Sequence, residues 1–159
     1  MLSAGITISA ETLKAIGEFS INWSVFEAIH CNSEASAGKL HKLDLTFSEK
    51  EQMVRQSISA FRIELSKFFS DREWAIDNDS IKYCLYTEVS QIRYSRIQED
   101  VALIQQFLLN ETDDYHAALL CIQRIRNNFF HGTKEFYHLD NQCALFQSAS
   151  NVLYNINCR

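Results

Sequence analysis

The chain has 159 residues, of which 47% are hydrophobic and 22% are charged, and its net charge is −5. It contains no proline and only four glycines, so it lacks the usual turn residues of all-β and collagen-like proteins. Its negative charge would repel nucleic acid at long range, which excludes a histone-like or DNA-coating role.

Apolar residues that recur every three or four positions predict helices along the whole chain. The first helix begins after Ser9, whose hydroxyl suits an N-cap. Residues 31–47 have the composition of a loop, and Ser48 followed by Glu51 predicts a capping box at the start of the second helix. The predicted apolar face of the first helix comprises Leu13, Ile16, Phe19, Trp23, Phe26 and Ile29.

The second helix has a regular apolar stripe and ends near Ser70. A third helical stretch begins around Asp79, and the sequence leaves open whether residues 79–110 form one helix or two. The stripe of the second helix comprises Val54, Ile58, Phe61, Leu65 and Phe68. The apolar positions of the third stretch are Ile81, Leu85, Val89, Ile92, Val101, Ile104 and Leu108.

A fourth helix follows an acidic group, because negative charge suits the positive end of a helix dipole, and Gly132 is predicted to end it. The last helix spans residues 141–156. Short connections favour antiparallel neighbours, so we predict an all-α antiparallel bundle of four to five helices in a single domain, residues 1–159. The acidic group is Glu111, Asp113 and Asp114. The inward residues are Ala118, Ile122, Ile125 and Phe129 in the fourth helix, and Leu145, Ser148, Val152 and Ile156 in the last.

The stretch RIRNNFFHGTKE, residues 124–135, carries the most chemistry. Helical spacing places Asn127 and His131 on one face together with Arg124. It places Arg126 about 140° from His131 around the helix axis. With the apolar residues of this helix facing the core, these polar side chains are expected to point outward, without an acidic partner on their own helix. Such a strip predicts contact with an anion or a second subunit.

A histidine and an arginine at this spacing suit the cleavage of RNA without a metal ion. A neutral imidazole can accept the proton of a ribose 2′-hydroxyl, and a permanently charged guanidinium can stabilise the negative charge that builds on phosphorus. Attack by the 2′-oxygen would leave a cyclic phosphate end. Arg126 and His131 are therefore the candidate catalytic residues, and Asn127 is a candidate for fixing the imidazole tautomer.

The order Arg126-Asn127, three residues, His131-Gly132 resembles the Arg-polar-x3-His motif of the HEPN superfamily, the higher eukaryotes and prokaryotes nucleotide-binding domains. The resemblance implies a helical bundle that dimerises and cuts RNA where two copies of the motif meet. It implies a toxin or phage-defence setting, with an antitoxin or inhibitor protein as a further partner. The supporting site residues that it implies are Glu27, Arg124, Asn128, Gly132 and Lys134.

Two other functions stay open from the sequence. The polar strip could contact RNA or a protein without cutting, as in a helical binding module, or the chain could be a structural dimer or antitoxin-like partner. Other charged groups are interpreted as solvent-exposed surface, although the first could hold a phosphate backbone. They are Arg93, Tyr94 and Arg96; Lys39, His41 and Lys42; and Glu99 and Asp100.

The five cysteines are scattered and never form CxxC, which argues against a disulfide framework or a zinc ribbon. The histidines and cysteines offer no complete tetrahedral set, so neither a metal nor a cofactor is predicted. The first residues lack a signal-peptide pattern, and no run approaches the ~18 apolar residues of a membrane span. We therefore expect a cytoplasmic protein.

Overall fold

The computed structural model describes residues 8–86, 94–110, 114–130 and 136–158. No strand occurs within these ranges, and the all-α prediction is confirmed. The α-helices are α1 (Ala10–His30), α2 (Ala37–Lys42), α3 (Glu51–Asp71), α4 (Asn78–Leu85), α5 (Tyr94–Leu108), α6 (Tyr115–Phe130) and α7 (Cys143–Asn157). Short 3₁₀ segments, Ser48–Lys50 and Phe136–Gln142, precede α3 and α7.

The described ranges hold seven α-helices, more than the four to five predicted. Helix α2 lies inside the predicted loop, where the Ser36 hydroxyl caps it by accepting a hydrogen bond from Lys39 N–H (3.2 Å) and Leu40 anchors it in the core. The stretch that the sequence left open forms two helices, α4 and α5. Val89 and Ile92, two of its predicted apolar positions, lie outside the described residues.

One predicted helix cap is confirmed and another is wrong. The Ser9 hydroxyl accepts a hydrogen bond from Thr12 N–H (3.1 Å), as an N-cap should. Ser48 forms no capping box, because its φ of 48° is left-handed, whereas a capping residue is extended. Helix α3 therefore begins at Glu51 after a 3₁₀ turn and has no side-chain cap.

Helix α1 buries the centre of its predicted apolar face but not the edges. Phe19, Trp23 and Phe26 are buried as expected, but Leu13 is 54% exposed and Ile29 is 41% exposed. These two residues lie roughly 100° to either side of the buried face, whose polar member Thr12 is covered by the bundle. Because apolar residues continue past the buried face on both sides, the sequence of α1 does not show where that face ends.

The apolar stripes of the later helices are largely confirmed. In α3 the four predicted positions from Val54 to Leu65 are buried, but Phe69 rather than Phe68 completes the stripe. In α6 the predicted face is buried except for Phe129, which is half-buried against the core. In α7 the three predicted apolar residues are buried, while Ser148 is half-buried.

Helix α7 packs between α1 and α3. It runs in the same direction as α1, because Glu11 contacts Gln147 while Asn22, further along α1, contacts Ser150 and Asn157. It runs opposite to α3, because Lys50 reaches the carbonyls at the end of α7. The antiparallel prediction therefore fails for α1 and α7, since the rule of short connections does not apply to helices far apart in the chain.

The carboxylate of Asp140 joins the start of α1 to the segment that precedes α7. Its Oδ1 accepts hydrogen bonds from the Thr12 hydroxyl (2.6 Å) and from Ser9 N–H (3.0 Å). The bond from Thr12 and then those from Ser9 lower the pKa of Asp140. A carboxylate whose pKa is lowered by folding stabilises the native state above its unfolded pKa of about 3.9 and loses that contribution as the pH falls.

We expect Asp140→Asn to make unfolding less sensitive to acid. The urea midpoint of the native protein should fall more between about pH 5 and pH 3 than that of the variant, because only the native side chain must take up a proton. Asp44→Asn, at an exposed carboxylate between α2 and α3, is the matched control and should follow the native protein. Equal acid sensitivity in the native protein and Asp140→Asn would contradict this role.

Candidate functional site

Helix α6 changes character halfway along its length. Residues 117–122 are all fully buried, so this half is surrounded by the bundle. From Gln123 onward polar side chains alternate with Ile125 and Phe129, and the helix reaches the protein surface. The sequence predicted that these polar side chains point outward, but they are half-buried or buried and contact other parts of the chain.

The two motif residues that the structure describes contact each other. Arg126 Nη1 donates a hydrogen bond to Asn127 Oδ1 (3.2 Å). Because a guanidinium can only donate, the amide oxygen of Asn127 must face Arg126 and its NH₂ group must face elsewhere. Arg126 therefore orients the Asn127 amide.

Arg124 and Asn128 hold α6 against the end of α4. Arg124 Nε donates to Leu85 O (2.8 Å), and Asn128 Nδ2 donates to Cys84 O (2.9 Å). The last carbonyls of a helix lack partners within the helix, and a cation suits its negative end. The Arg124 guanidinium also lies over the Tyr86 ring, 4.8 Å from its centroid. These two predicted supporting residues thus have a positioning role.

Glu27 lies near α6, in contact with the loop between α1 and α2. Its Oε2 accepts a hydrogen bond from Ala35 N–H (3.1 Å), and the amide of Gln123 donates to the carbonyl of the same residue (2.6 Å). Glu27 and Gln123 therefore both hold the backbone of Ala35, Glu27 through its N–H and Gln123 through its carbonyl. The Glu27 carboxylate, which the resemblance implied as a supporting site residue, thus contacts the loop between α1 and α2.

Asn127 lines a cleft of about 400 Å³ between α2, α5 and α6. This volume lies within the range of small-ligand sites. Its wall includes the α2 residue Gly38 and four side chains from the other elements: Tyr86, Arg96, Asp100 and Arg124. Burial and then the negative charge of Asp100 raise the pKa of Tyr86, so its hydroxyl stays protonated.

Asp100 corrects an interpretation made from the sequence. It is only 3% exposed, and its Oδ1 lies 2.6 Å from His41 Nε2, so Asp100 does not belong to the solvated surface. The available signal was its position on α5, three residues after Ile97 and four before Ile104, on the buried face of the helix. A carboxylate in that register needs a partner, and α2 supplies His41.

Sequence reasoning missed the cleft. Arg96 was grouped with its neighbours as a basic surface, and nothing in the sequence pointed to Tyr86. Arg93 and the motif residues His131, Gly132 and Lys134 lie outside the described residues, so the predicted role of His131 as a base stays a prediction.

The remaining features concern metals, disulfides and membranes. In the part of the chain that the structure describes, no three histidine, cysteine or acidic side chains cluster as metal ligands would, and none of the helices is long and apolar enough to cross a bilayer. All five cysteines are reduced; burial raises the pKa of Cys121 and of Cys31.

Comparisons of the chain with protein-family models, with curated proteins and with solved structures find no match.

Proposed function

We propose that this chain is a metal-independent endoribonuclease of the HEPN type, acting as a homodimer. The observation that carries the proposal is the contact between Arg126 and Asn127 at the half-buried end of α6. Asn127 also lines a cleft whose wall includes Arg96 and Arg124. The chain is acidic overall, so this local group of guanidiniums marks the place where a phosphate backbone would be attracted.

In the proposed reaction, His131 takes the proton of a ribose 2′-hydroxyl, and the 2′-oxygen attacks the adjacent phosphorus. The bond from phosphorus to the 5′-oxygen breaks, and that oxygen takes up a proton from water. Arg126 stabilises the negative charge on the phosphoryl oxygens, while the Asn127 amide oxygen, which can accept a second hydrogen bond, positions the imidazole through its N–H. The products are a 2′,3′-cyclic phosphate end and a 5′-hydroxyl end. A toxin or phage-defence role, restrained by an antitoxin or inhibitor protein, belongs to the same proposal.

The test is the incubation of the purified protein with total RNA in excess EDTA. We expect cleavage that leaves cyclic phosphate ends, and loss of that cleavage in His131→Ala. Arg55→Ala, at an exposed arginine of α3 that pairs with Glu51, is the control for general effects of lost charge. Cleavage that requires added divalent metal, or that persists in His131→Ala, would contradict the proposal.

The second candidate is a helical module that binds RNA without cutting it. The observation that favours it is the arrangement of Arg96 and Arg124 around the cleft, which needs no contribution from His131. In this case the native protein and His131→Ala would retain RNA equally, and neither would cut it.

A further inference from the structure

The cleft contains a buried polar group that the protein does not satisfy. Tyr86 is 8% exposed, and its hydroxyl is completely covered and has no hydrogen-bond partner in the described ranges. A hydroxyl removed from water without a partner destabilises the fold. Because the Tyr86 side chain lines the cleft, a bound molecule that displaces the cover of the hydroxyl would supply the missing acceptor.

An exposed cation lines the same cleft. Arg96 is exposed and lies in the first turn of α5, the positive end of the helix dipole, where a cation is unfavourable. Asp100 is one turn further along, but its carboxylate contacts His41, and no described carboxylate forms an ion pair with Arg96. An anion in the cleft would offset the charge of Arg96 and would offer an acceptor to the Tyr86 hydroxyl.

Two further donors have fixed positions. Hydrogen bonding to Leu85 O and stacking on Tyr86 hold the Arg124 guanidinium at the cleft wall. Arg126 turns the NH₂ group of Asn127 away from itself, and that group has no partner among the described residues. The charged side chains in the described lining are two guanidiniums and one carboxylate. The cleft thus matches a phosphate group, with its single negative charge and several acceptor oxygens.

We propose that the cleft binds a backbone phosphate of the RNA strand, next to the phosphate that is cut. Arg96 and Arg124 provide the cationic contacts, and Asn127 and Tyr86 donate hydrogen bonds. This inference rests on the proposed function, because it assigns the phosphate to the RNA substrate. It adds a second contact with the strand, outside the motif.

The test uses the full chain carrying His131→Ala, so that RNA stays intact. The affinity for a short fluorescent single-stranded RNA is measured by anisotropy over a range of salt concentrations. Adding Arg96→Gln should weaken binding roughly tenfold and should reduce the slope of log affinity against log salt by about one. Arg55→Gln, at an exposed arginine of α3, should change neither value. Unchanged affinity in Arg96→Gln would overturn the proposal.

Tyr86→Phe provides a second, independent measurement. If the hydroxyl serves a ligand, its removal should weaken RNA binding, and the thermal unfolding midpoint of the free protein should stay the same or rise. A purely structural hydroxyl would instead lower that midpoint and leave RNA affinity unchanged, which would overturn the role assigned to Tyr86.

Inorganic phosphate distinguishes the source of the anion. If it stabilises the native chain through Arg96 while RNA affinity is independent of Arg96, the cleft takes a free phosphate compound and the assignment to RNA fails. The two proposals fail separately. If RNA binding depends on Arg96 but the native protein does not cleave RNA, the nuclease proposal is wrong and the phosphate site in the cleft is supported. If the native protein cleaves RNA and neither cleavage nor binding depends on Arg96, the phosphate site is wrong and the nuclease proposal is supported.

Discussion

Arg126→Ala is expected to lower the single-turnover rate of RNA cleavage by about 10²–10³-fold, the usual loss when one preorganised donor to a transition-state oxyanion is removed. The guanidinium is needed where charge builds on phosphorus, and it also sets the direction of the Asn127 amide. The rate should be measured with saturating protein in EDTA, with the folded fraction checked by circular dichroism.

The pairing of the two residues makes this prediction sharper. Asn127→Ala should slow cleavage less than Arg126→Ala, and the double variant should be little slower than Arg126→Ala alone, because the amide depends on the arginine for its orientation. Arg126→Lys keeps the charge but loses the planar fork and should recover only part of the rate. Additive losses in the double variant, or full activity in Arg126→Lys, would show that the contact has no catalytic role.

Phe146→Ala is expected to destabilise the fold by about 3–5 kcal/mol, the cost of emptying a large aromatic site in a core. Phe146 is 1% exposed, and its ring lies 5.5 Å from that of Phe19 and 5.6 Å from that of Phe129. It therefore joins α1, α6 and α7. A loss of this size is a large part of the about 5–15 kcal/mol that keeps a domain folded.

Equilibrium unfolding in urea measures this effect. Tyr154→Ala, at an aromatic residue of the same helix that is 56% exposed, is the matched control and should change the free energy of unfolding by at most about 0.5 kcal/mol. A similar loss in both variants would mean that Phe146 is not the junction of the three helices.

The helices whose polar and apolar residues separate cleanly were predictable from the sequence. In α3, Val54, Ile58, Phe61 and Leu65 recur at helical spacing among mainly polar residues, and that pattern predicts a single buried face. Helix α1 lacks such contrast, so Leu13 and Phe19 are equally suited to a core by their chemistry. The packing of α7 decides between them, and that information is not local.

Part of the candidate site was likewise predictable from the sequence, and part was not. The contact between Arg126 and Asn127 joins neighbours in the chain, so a motif could indicate it. The cleft brings Gly38, Tyr86, Arg96 and Asn127 together from four separate segments. Their proximity depends on how α2 and α5 pack on α6, and the spacing within any one segment does not contain it.

The parallel packing of α1 and α7 affects how this protein folds during its synthesis on the ribosome. Asn22 and Ser150, which hydrogen bond across these helices, are separated by 128 positions. The aromatic face of α1 thus emerges long before the helix that will cover it, and contacts between such distant segments slow folding. Throughout that interval the nascent chain displays Phe19, Trp23 and Phe26 to chaperones and to other hydrophobic surfaces.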